Sequence, residues 1–281
     1  MKLIKRISEI QNWVKVNRTR TIGLVPTMGA LHEGHLSLVR AARRENDRVV
    51  VSLFVNPTQF GPKEDLKNYP RNLKRDQKLL LLEKVDVLFC PSVQEIYPDG
   101  YQTEVKVPDL AKGLCGKFRP VHFGGVATVV SKLFNLIQPT RAYFGAKDYQ
   151  QAMVVKRLVQ DLNFPLIVQV LPTVREKDGL AMSSRNAYLN RIERYKAPMV
   201  NLALEYGEKL IHRGVRDASR IQNEIRNFLA PFVEKIDYVE VIHPENLSPM
   251  RKIEGAGLLA VACYIGKTRL IDNRRVNGRG D

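Results

Sequence analysis

A chain of 281 residues, 44% of them hydrophobic, is long enough to bury one large core or two smaller ones. Lys and Arg number 45 against 29 Asp and Glu, a net charge of +16, but the excess is dispersed through mixed-sign stretches such as "RAARRENDR" and "RNLKRDQK" and is not interleaved with aromatics. That argues against a dedicated nucleic-acid platform and for a solvated surface or a small anionic substrate. No stretch is apolar enough to span a membrane, and "MKLIKRISEIQNWVKVN" lacks the continuous apolar segment of a secretory signal. Three distant cysteines, Cys90, Cys115 and Cys263, show no C-x-x-C spacing and suit a reducing cytoplasm without structural zinc.

In chain order, apolar runs alternate with amphipathic ones through the first 175 residues. "TIGLVPT" precedes the helical "HLSLVRAARRE", "RVVVSLFV" precedes "NLKRDQKLLLLEK", and "VDVLFC" precedes a loop-rich section. "GGVATVVSKLFNLIQ", "RAYFG", "QQAMVVKRLVQDL" and "LIVQVLP" follow. Near-continuous Val/Ile/Leu strands separated by helices predict an α/β, Rossmann-like, doubly wound parallel sheet over residues 1–175. From residue 176, two long helical stretches, "RIERYKAPMVNLALEYGEKLIHR" and "DASRIQNEIRNFLAPFVEK", precede the strands "IDYVEVIH", "GLLAVACYIG" and "TRLIDN". This order predicts a smaller C-terminal α+β domain over 176–281, ending in a frayed polar tail, "RRVNGRGD", whose terminal Arg-Gly-Asp is read as coincidence.

Ligands of doubly wound folds bind outside the carboxyl ends of the strands, and the unusual residues fall at those ends. Pro26-Thr27-Met28 follows the first strand, Asn56-Pro57-Thr58-Gln59 the second, Gly145-Ala146-Lys147-Asp148 follows "RAYF", and Thr173-Val174-Arg175 with "GLAMSSRN" follows "LIVQVLP". These short polar segments are expected on one rim. His32 and His35 lie three apart where the chain enters a helix that His35 is expected to open, and helix N-termini attract anions through unpaired N–H groups and the helix dipole. Two imidazoles there suit a nucleotide-phosphate cradle with proton donors aimed at a developing negative oxygen.

Competing readings are weighed beside these. "HEGHL" spaces its histidines three apart, where a zinc-protease helix needs four, and no Walker A loop is present. One core histidine and one exposed one is the bland alternative. Lys147 can meet a phosphate as a point charge or form a surface salt pair with Asp148. Ser183, Ser184 and Arg185 can hold polyphosphate or cap a helix. Gln59 and Gln151 are amides suited to a hydroxylated organic acid.

Taken together, "VPTMGALHEGH", "FVNPTQF", "YPR", "FGAKDYQQ", "TVREKDGLAMSSRN", "YVEVIHPENL" and "LLAVACYIGKTRLIDN" resemble the pantothenate synthetase (pantoate–beta-alanine ligase) family of the H-x-G-H nucleotidyltransferase superfamily, from about residue 3 to residue 273. The resemblance implies an AMP-forming ligase that joins pantoate to beta-alanine through pantoyl adenylate, releasing AMP and pyrophosphate. It implies His35 as proton donor with His32 its partner on the phosphates, and Lys147 as a further catalytic residue. ATP contacts are implied at Met28, Gly29, Ala30, Leu31, His32, Glu33, Gly34, His35, Gly145, Ala146, Lys147, Asp148, Val174, Met182, Ser183, Ser184 and Arg185. Pantoate contacts are implied at Gln59, Gln151 and Asn56, and magnesium beside Asp76. A nucleotide- and pantoate-binding first domain, a second domain closing over ATP, and a homodimer are implied as well.

Two positions depart from the family pattern. Ala146 stands where the family has Glu, and Val121 stands before His122 where it has Gly. Other readings predict different products. A nucleotidyltransferase acting on another small acid or phosphate would leave a stable nucleotide conjugate; an RNA-binding module is supported only by the +16 charge, and weak RNA binding that vanishes by moderate salt would mark that binding as nonspecific.

Overall fold

The computed structural model describes residues 1–62 and 64–278. The elements in order are β1 (Lys2–Ile4), α1 (Ile7–Val16), β2 (Ile22–Thr27), α2 (Glu33–Glu45), β3 (Arg48–Leu53), α3 (Leu73–Leu82), β4 (Val87–Phe89), α4 (Val93–Ile96), α5 (Pro108–Ala111), α6 (Leu114–Phe118), α7 (His122–Ile137), β5 (Arg141–Gly145), α8 (Tyr149–Asp161) and β6 (Ile167–Leu171). They continue with α9 (Arg191–Lys196), α10 (Met199–His212), α11 (Ala218–Leu229), β7 (Lys235–Ile242), β8 (Ala256–Ile265) and β9 (Thr268–Asn277). The chain forms two compact units. The first comprises Met1–Lys112, Arg119–Ala146 and Gln151–Pro172; the second comprises Gly113–Phe118, Lys147–Gln150 and Thr173–Asp281.

The first unit holds a six-stranded sheet in the order β1-β4-β3-β2-β5-β6, every pairing parallel, so the expected doubly wound α/β fold is what forms. Its central strands are mostly apolar because parallel strands are covered on both faces, whereas the edge strands β1 and β6 keep exposed positions. Val25, Val49, Val51 and Leu88 are buried with Leu38, Val39 and Ala42 of α2 in one cluster. The chain order reverses between β2 and β5, the switch point where ligands of such sheets bind.

Pro26 explains why the sheet opens there. Ile22 exchanges bonds with Thr140 on the β5 side, and the two-residue alternation turns the Pro26 nitrogen the same way, without a hydrogen to donate. The β2–β5 ladder accordingly stops at Leu24↔Ala142, whereas β2–β3 pairing runs on to Thr27↔Leu53.

The second unit is an α+β body. Antiparallel β7-β8-β9 bury Val239, Val241, Leu259, Val261 and Leu270 with Val200, Leu204, Ile211, Ile221 and Ile225 of α10 and α11. Two sequence expectations are corrected. The first long helical stretch divides into α9 and α10 at Ala197-Pro198, because proline removes a backbone donor and crowds the preceding turn. β9 outruns "TRLIDN" to Asn277, so Arg274–Asn277 are strand, not frayed tail. Val276 is buried there, and Arg274 pairs with Glu205 at 3.1 Å and Glu208 at 2.8 Å. The expected Arg-Gly-Asp, residues 279–281, lies outside the described residues. In the first unit, β1 is an edge strand for which the charged opening segment gave no expectation.

Candidate active site

The loop after β2 is built on two left-handed residues, Gly29 (φ 86°) and Ala30 (φ 51°). A Cβ at Gly29 would lie 3.2 Å from Asp76 Oδ2 and 3.2 Å from Leu53, so glycine is needed there on two counts. Asp76 on α3, 1% exposed, holds the loop: Oδ2 accepts the Ala30 N–H and Oδ1 the Leu31 N–H, both at 2.9 Å. Arg75 Nη1 donates to the Leu31 carbonyl at 2.8 Å. The Ala30 and Leu31 amides, expected at ATP, are thus engaged with the protein itself.

The helix that follows starts two residues before the expected position. α2 begins at Glu33 with His32 as its N-cap, and His35 lies in the first turn. His32 Nδ1 lies 3.2 Å from the Gly34 N–H, and His35 Nδ1 lies 3.3 Å from the His32 N–H, a reciprocal cap in which imidazoles take the places of the usual hydroxyl and carboxylate. A backbone N–H only donates, so both Nδ1 atoms accept and both rings carry their hydrogen on Nε2. The ring centroids are 4.1 Å apart. The three-residue spacing of His32 and His35 therefore places two Nε2–H donors, on rings tilted 46° to each other, at a helix N-terminus. Glu33 pairs its carboxylate with Arg40, which holds its pKa below the usual carboxylate range.

Met28 joins this loop to the segment after β3. Gln59 Nε2 donates to Met28 Sδ at 3.1 Å, and Gln59 is 6% exposed. Asn56 caps the short 3-10 turn Pro57–Gln59 through its side chain. Gly125 of α7 lies against that turn so closely that a Cβ would meet Gln59 N at 2.6 Å.

Sequence reasoning missed what surrounds Gln59. His122 Nδ1 donates to the Gln59 carbonyl at 3.1 Å and turns Nε2 toward Arg119 Nη1 at 3.3 Å; Arg119 is paired with Glu64 at 2.5 Å. The signal was Arg119-x-x-His122 with Gly124-Gly125 in the first turn of an apolar helix. Val121 adopts φ −90°, ψ −13°, ordinary helical backbone, so the departure from Gly demands no strained conformation. Gly145 ends β5 with Ala146 next, and Gln151 lies half-buried in the first turn of α8. The neighbouring Gln150 is structural: its amide accepts the Cys115 N–H at 3.0 Å and donates to the Gly113 carbonyl at 2.9 Å.

The remaining candidates belong to the second unit. Thr173–Ser183 form a small hairpin in which the Met182 N–H donates to the Val174 carbonyl at 3.0 Å and Arg175 bridges Ala181. Arg175 forms a bidentate pair with buried Asp272, at 2.7 and 3.0 Å. Ser183 caps the 3-10 segment Ser184–Tyr188 by accepting the Arg185 N–H at 3.3 Å, so the capping role weighed for this motif is real. Asn273, adjacent to Asp272, donates to the Lys147 carbonyl at 2.9 Å. Lys147 Nζ lies 3.7 Å from Asp148 Oδ2, too long for a tight ion pair. Asp272 and Asn273 of β9 thus fasten both the hairpin and the Lys147 turn, a role the "LIDN" tetrapeptide did not disclose.

Comparison with known proteins agrees along the whole chain. The family model for pantoate-beta-alanine ligase matches residues 2–275. A pantothenate synthetase from Moorella thermoacetica is 54% identical over 276 residues, 97% of this chain and 98% of that one, and one from Fervidobacterium nodosum is 53% identical over 279 residues, 99% and 100%. Among solved structures, a pantothenate synthetase from Thermus thermophilus superposes with a TM-score of 0.94 at 47% identity, over 98% of this chain and 99% of that one. A Francisella tularensis pantoate-beta-alanine ligase, complexed with beta-gamma ATP and beta-alanine, superposes with a TM-score of 0.82 at 38% identity, over 98% and 97%. With the capped histidine pair and the Asn56–Gln59 turn already in place, the chain belongs to the pantoate-beta-alanine ligase family.

Proposed function

We propose that this protein condenses pantoate with beta-alanine at the expense of ATP. The pantoate carboxylate attacks the α-phosphorus, the bond to the β-phosphate oxygen breaks, and pyrophosphate leaves. The beta-alanine amine then attacks the acyl carbon of pantoyl adenylate, loses a proton, and AMP departs as the acyl–oxygen bond breaks. The observation that carries this reading is the reciprocal His32–His35 cap, which holds two imidazoles with hydrogen on Nε2 at the positive end of α2. Donors fixed before the reaction cost no reorganisation when negative charge moves onto the departing pyrophosphate.

In this reading Met28 to His35, Gly145, Ala146, Lys147, Asp148, Val174 and Met182 to Arg185 serve the nucleotide, and Asn56, Gln59 and Gln151 serve pantoate. The second unit closes over ATP and keeps the acyl adenylate from water. Magnesium would accompany the ATP phosphates and take most of its ligands from phosphate and water. Asp76 does not fit as its direct ligand, because it is 1% exposed and its carboxylate is turned onto the Ala30 and Leu31 N–H groups. Asp76 serves instead by holding the loop of the histidines, and no step is routed through the metal. The proposal extends to a homodimer, on the family resemblance, and to the cytoplasm, supported by three free cysteines. No helix among the described residues is long and apolar enough to cross a membrane.

The test is to supply ATP, magnesium, pantoate and beta-alanine and to omit each in turn. Pantothenate, AMP and pyrophosphate should appear together, with pyrophosphate release requiring pantoate. A stable nucleotide conjugate in place of free AMP would overturn the reading.

A further inference from the structure

Asn56 is almost wholly buried, and its amide orientation is settled by backbone groups whose roles are not interchangeable. The Thr58 N–H only donates, and it lies 3.3 Å from Asn56 Oδ1; the Gly125 carbonyl only accepts, and it lies 3.0 Å from Asn56 Nδ2. Nδ2 therefore also faces Gln59 Oε1, at 3.2 Å. With its oxygen receiving that bond, the Gln59 amide turns Nε2 toward Met28 Sδ, a weak acceptor that a ligand oxygen outcompetes.

Tyr97 stands at the other end of this chain of bonds. Its hydroxyl donates to Asn56 Oδ1 at 3.0 Å and lies 3.3 Å from Thr58 Oγ1, which donates to the same oxygen at 3.0 Å; burial pushes the Tyr97 pKa up, so its hydroxyl keeps its hydrogen. The ring is held independently of that bond, with centroids 6.2 Å from Phe54 and 5.1 Å from Tyr101, and Lys132 Nζ 5.8 Å from its own centroid. The donor therefore points where packing puts it. Hydroxyl to amide oxygen, then amide nitrogen to amide oxygen, is a relay with one polarity.

We propose that Tyr97 is a positioning residue for the organic acid: it tightens the Asn56 orientation that the Thr58 and Gly125 groups select, and so helps to keep N–H2, not oxygen, on the free arm of the Gln59 amide. The site then offers donors and favours a ligand rich in acceptor oxygens, a hydroxy-carboxylate, over one presenting N–H groups. This rests on the assignment of Gln59 to pantoate. Tyr97→Phe deletes one of the three donors on Asn56 Oδ1 and leaves the ring contacts in place.

The experiment measures steady-state kinetics and melting temperature for the wild type, Tyr97→Phe, Gln59→Ala, Gln59→Glu and the Tyr97→Phe/Gln59→Ala double variant. Tyr97→Phe is expected to raise the KM for pantoate about three- to tenfold while kcat and the KM for ATP stay within about twofold. The increment should vanish in the Gln59→Ala background, because the relay then has nothing to orient. Gln59→Glu keeps the shape but places oxygen where Nε2 sits, and it should weaken pantoate more than Gln59→Ala does. An unchanged KM for pantoate in Tyr97→Phe, an equal Tyr97 effect in both backgrounds, or a Gln59→Glu milder than Gln59→Ala overturns the proposal. Should Tyr97→Phe not fold, the two Gln59 variants still decide the polarity. A wild type that makes no pantothenate sinks the ligase reading, whereas normal wild-type turnover with a Tyr97→Phe indifferent to pantoate sinks this inference alone.

Discussion

The loop after β2 and the hairpin Thr173–Ser183 both carry residues proposed for the nucleotide, and each is held by a buried aspartate, but by different means. Asp76 accepts backbone N–H groups directly from a loop with two left-handed residues and no strand pairing of its own. Asp272 acts at one remove, through the Arg175 guanidinium, on a hairpin that already has cross-chain bonds between 174 and 182 and between 176 and 180. Left-handed backbone at a non-glycine residue costs of order 1 kcal/mol or more, so the first loop depends on its anchor, whereas the hairpin needs only orientation. Rigidity is thus concentrated where the two histidines are presented.

The largest effect is expected from removing what that rigid loop presents. His35→Ala should fold, bind ATP within about tenfold, and form pantoyl adenylate about 10²–10³-fold more slowly in rapid-quench measurements. Given preformed pantoyl adenylate, it should make pantothenate at a rate close to wild type, since phosphate charge no longer builds up in the amine step. Normal adenylation would mean that the cap is merely structural.

Next comes the anchor itself. Asp76→Asn turns one acceptor into a donor facing a backbone N–H, which should destabilise by about 1–3 kcal/mol and slow adenylation at least tenfold. Urea denaturation and single-turnover assays read the two effects separately. Arg175→Met, the equivalent cut in the second unit, should raise the KM for ATP less than about tenfold and leave the single-turnover adenylation rate at saturating ATP nearly unchanged. A larger loss from Arg175→Met than from Asp76→Asn would reverse the comparison.

The smallest effect concerns the second unit alone. Asp237 is buried between Lys235 and Arg269, each at 2.8 Å; burial raises its pKa, but the two cations outweigh burial and hold it below the usual value. A depressed folded pKa contributes stability that is present above the unfolded value of about 3.9 and lost as pH falls through the folded one. Asp237→Asn should therefore melt below wild type at neutral pH, with the gap closing below about pH 4. A gap that widens in acid would contradict this sign.

These particulars show what was legible beforehand. The parallel sheet was readable because "RVVVSL" and "IGLV" are apolar on both faces, and the carboxyl-end rule then pointed to the loop of His32 and His35. Asp76 was read only as a metal-side residue, because nothing in "RNLKRDQK" tells that its carboxylate reaches back 46 residues to Ala30. Tyr97 drew no notice for the same reason: its partner Asn56 lies 41 residues away. The break between α9 and α10 was written in Pro198 and outweighed by the periodicity around it.

By itself, the sequence determined the class of fold, the helix-terminal histidine pair and the family, because periodicity, capping spacing and motif order are local properties of the chain. The tertiary structure alone decided which ring nitrogens accept and which donate, which way the Gln59 amide faces, and that Asp76, Asp272 and Asn273 act as fasteners. Those are orientations of hydrogen-bonding groups, and a donor's direction is settled by whichever distant acceptor the fold brings to it.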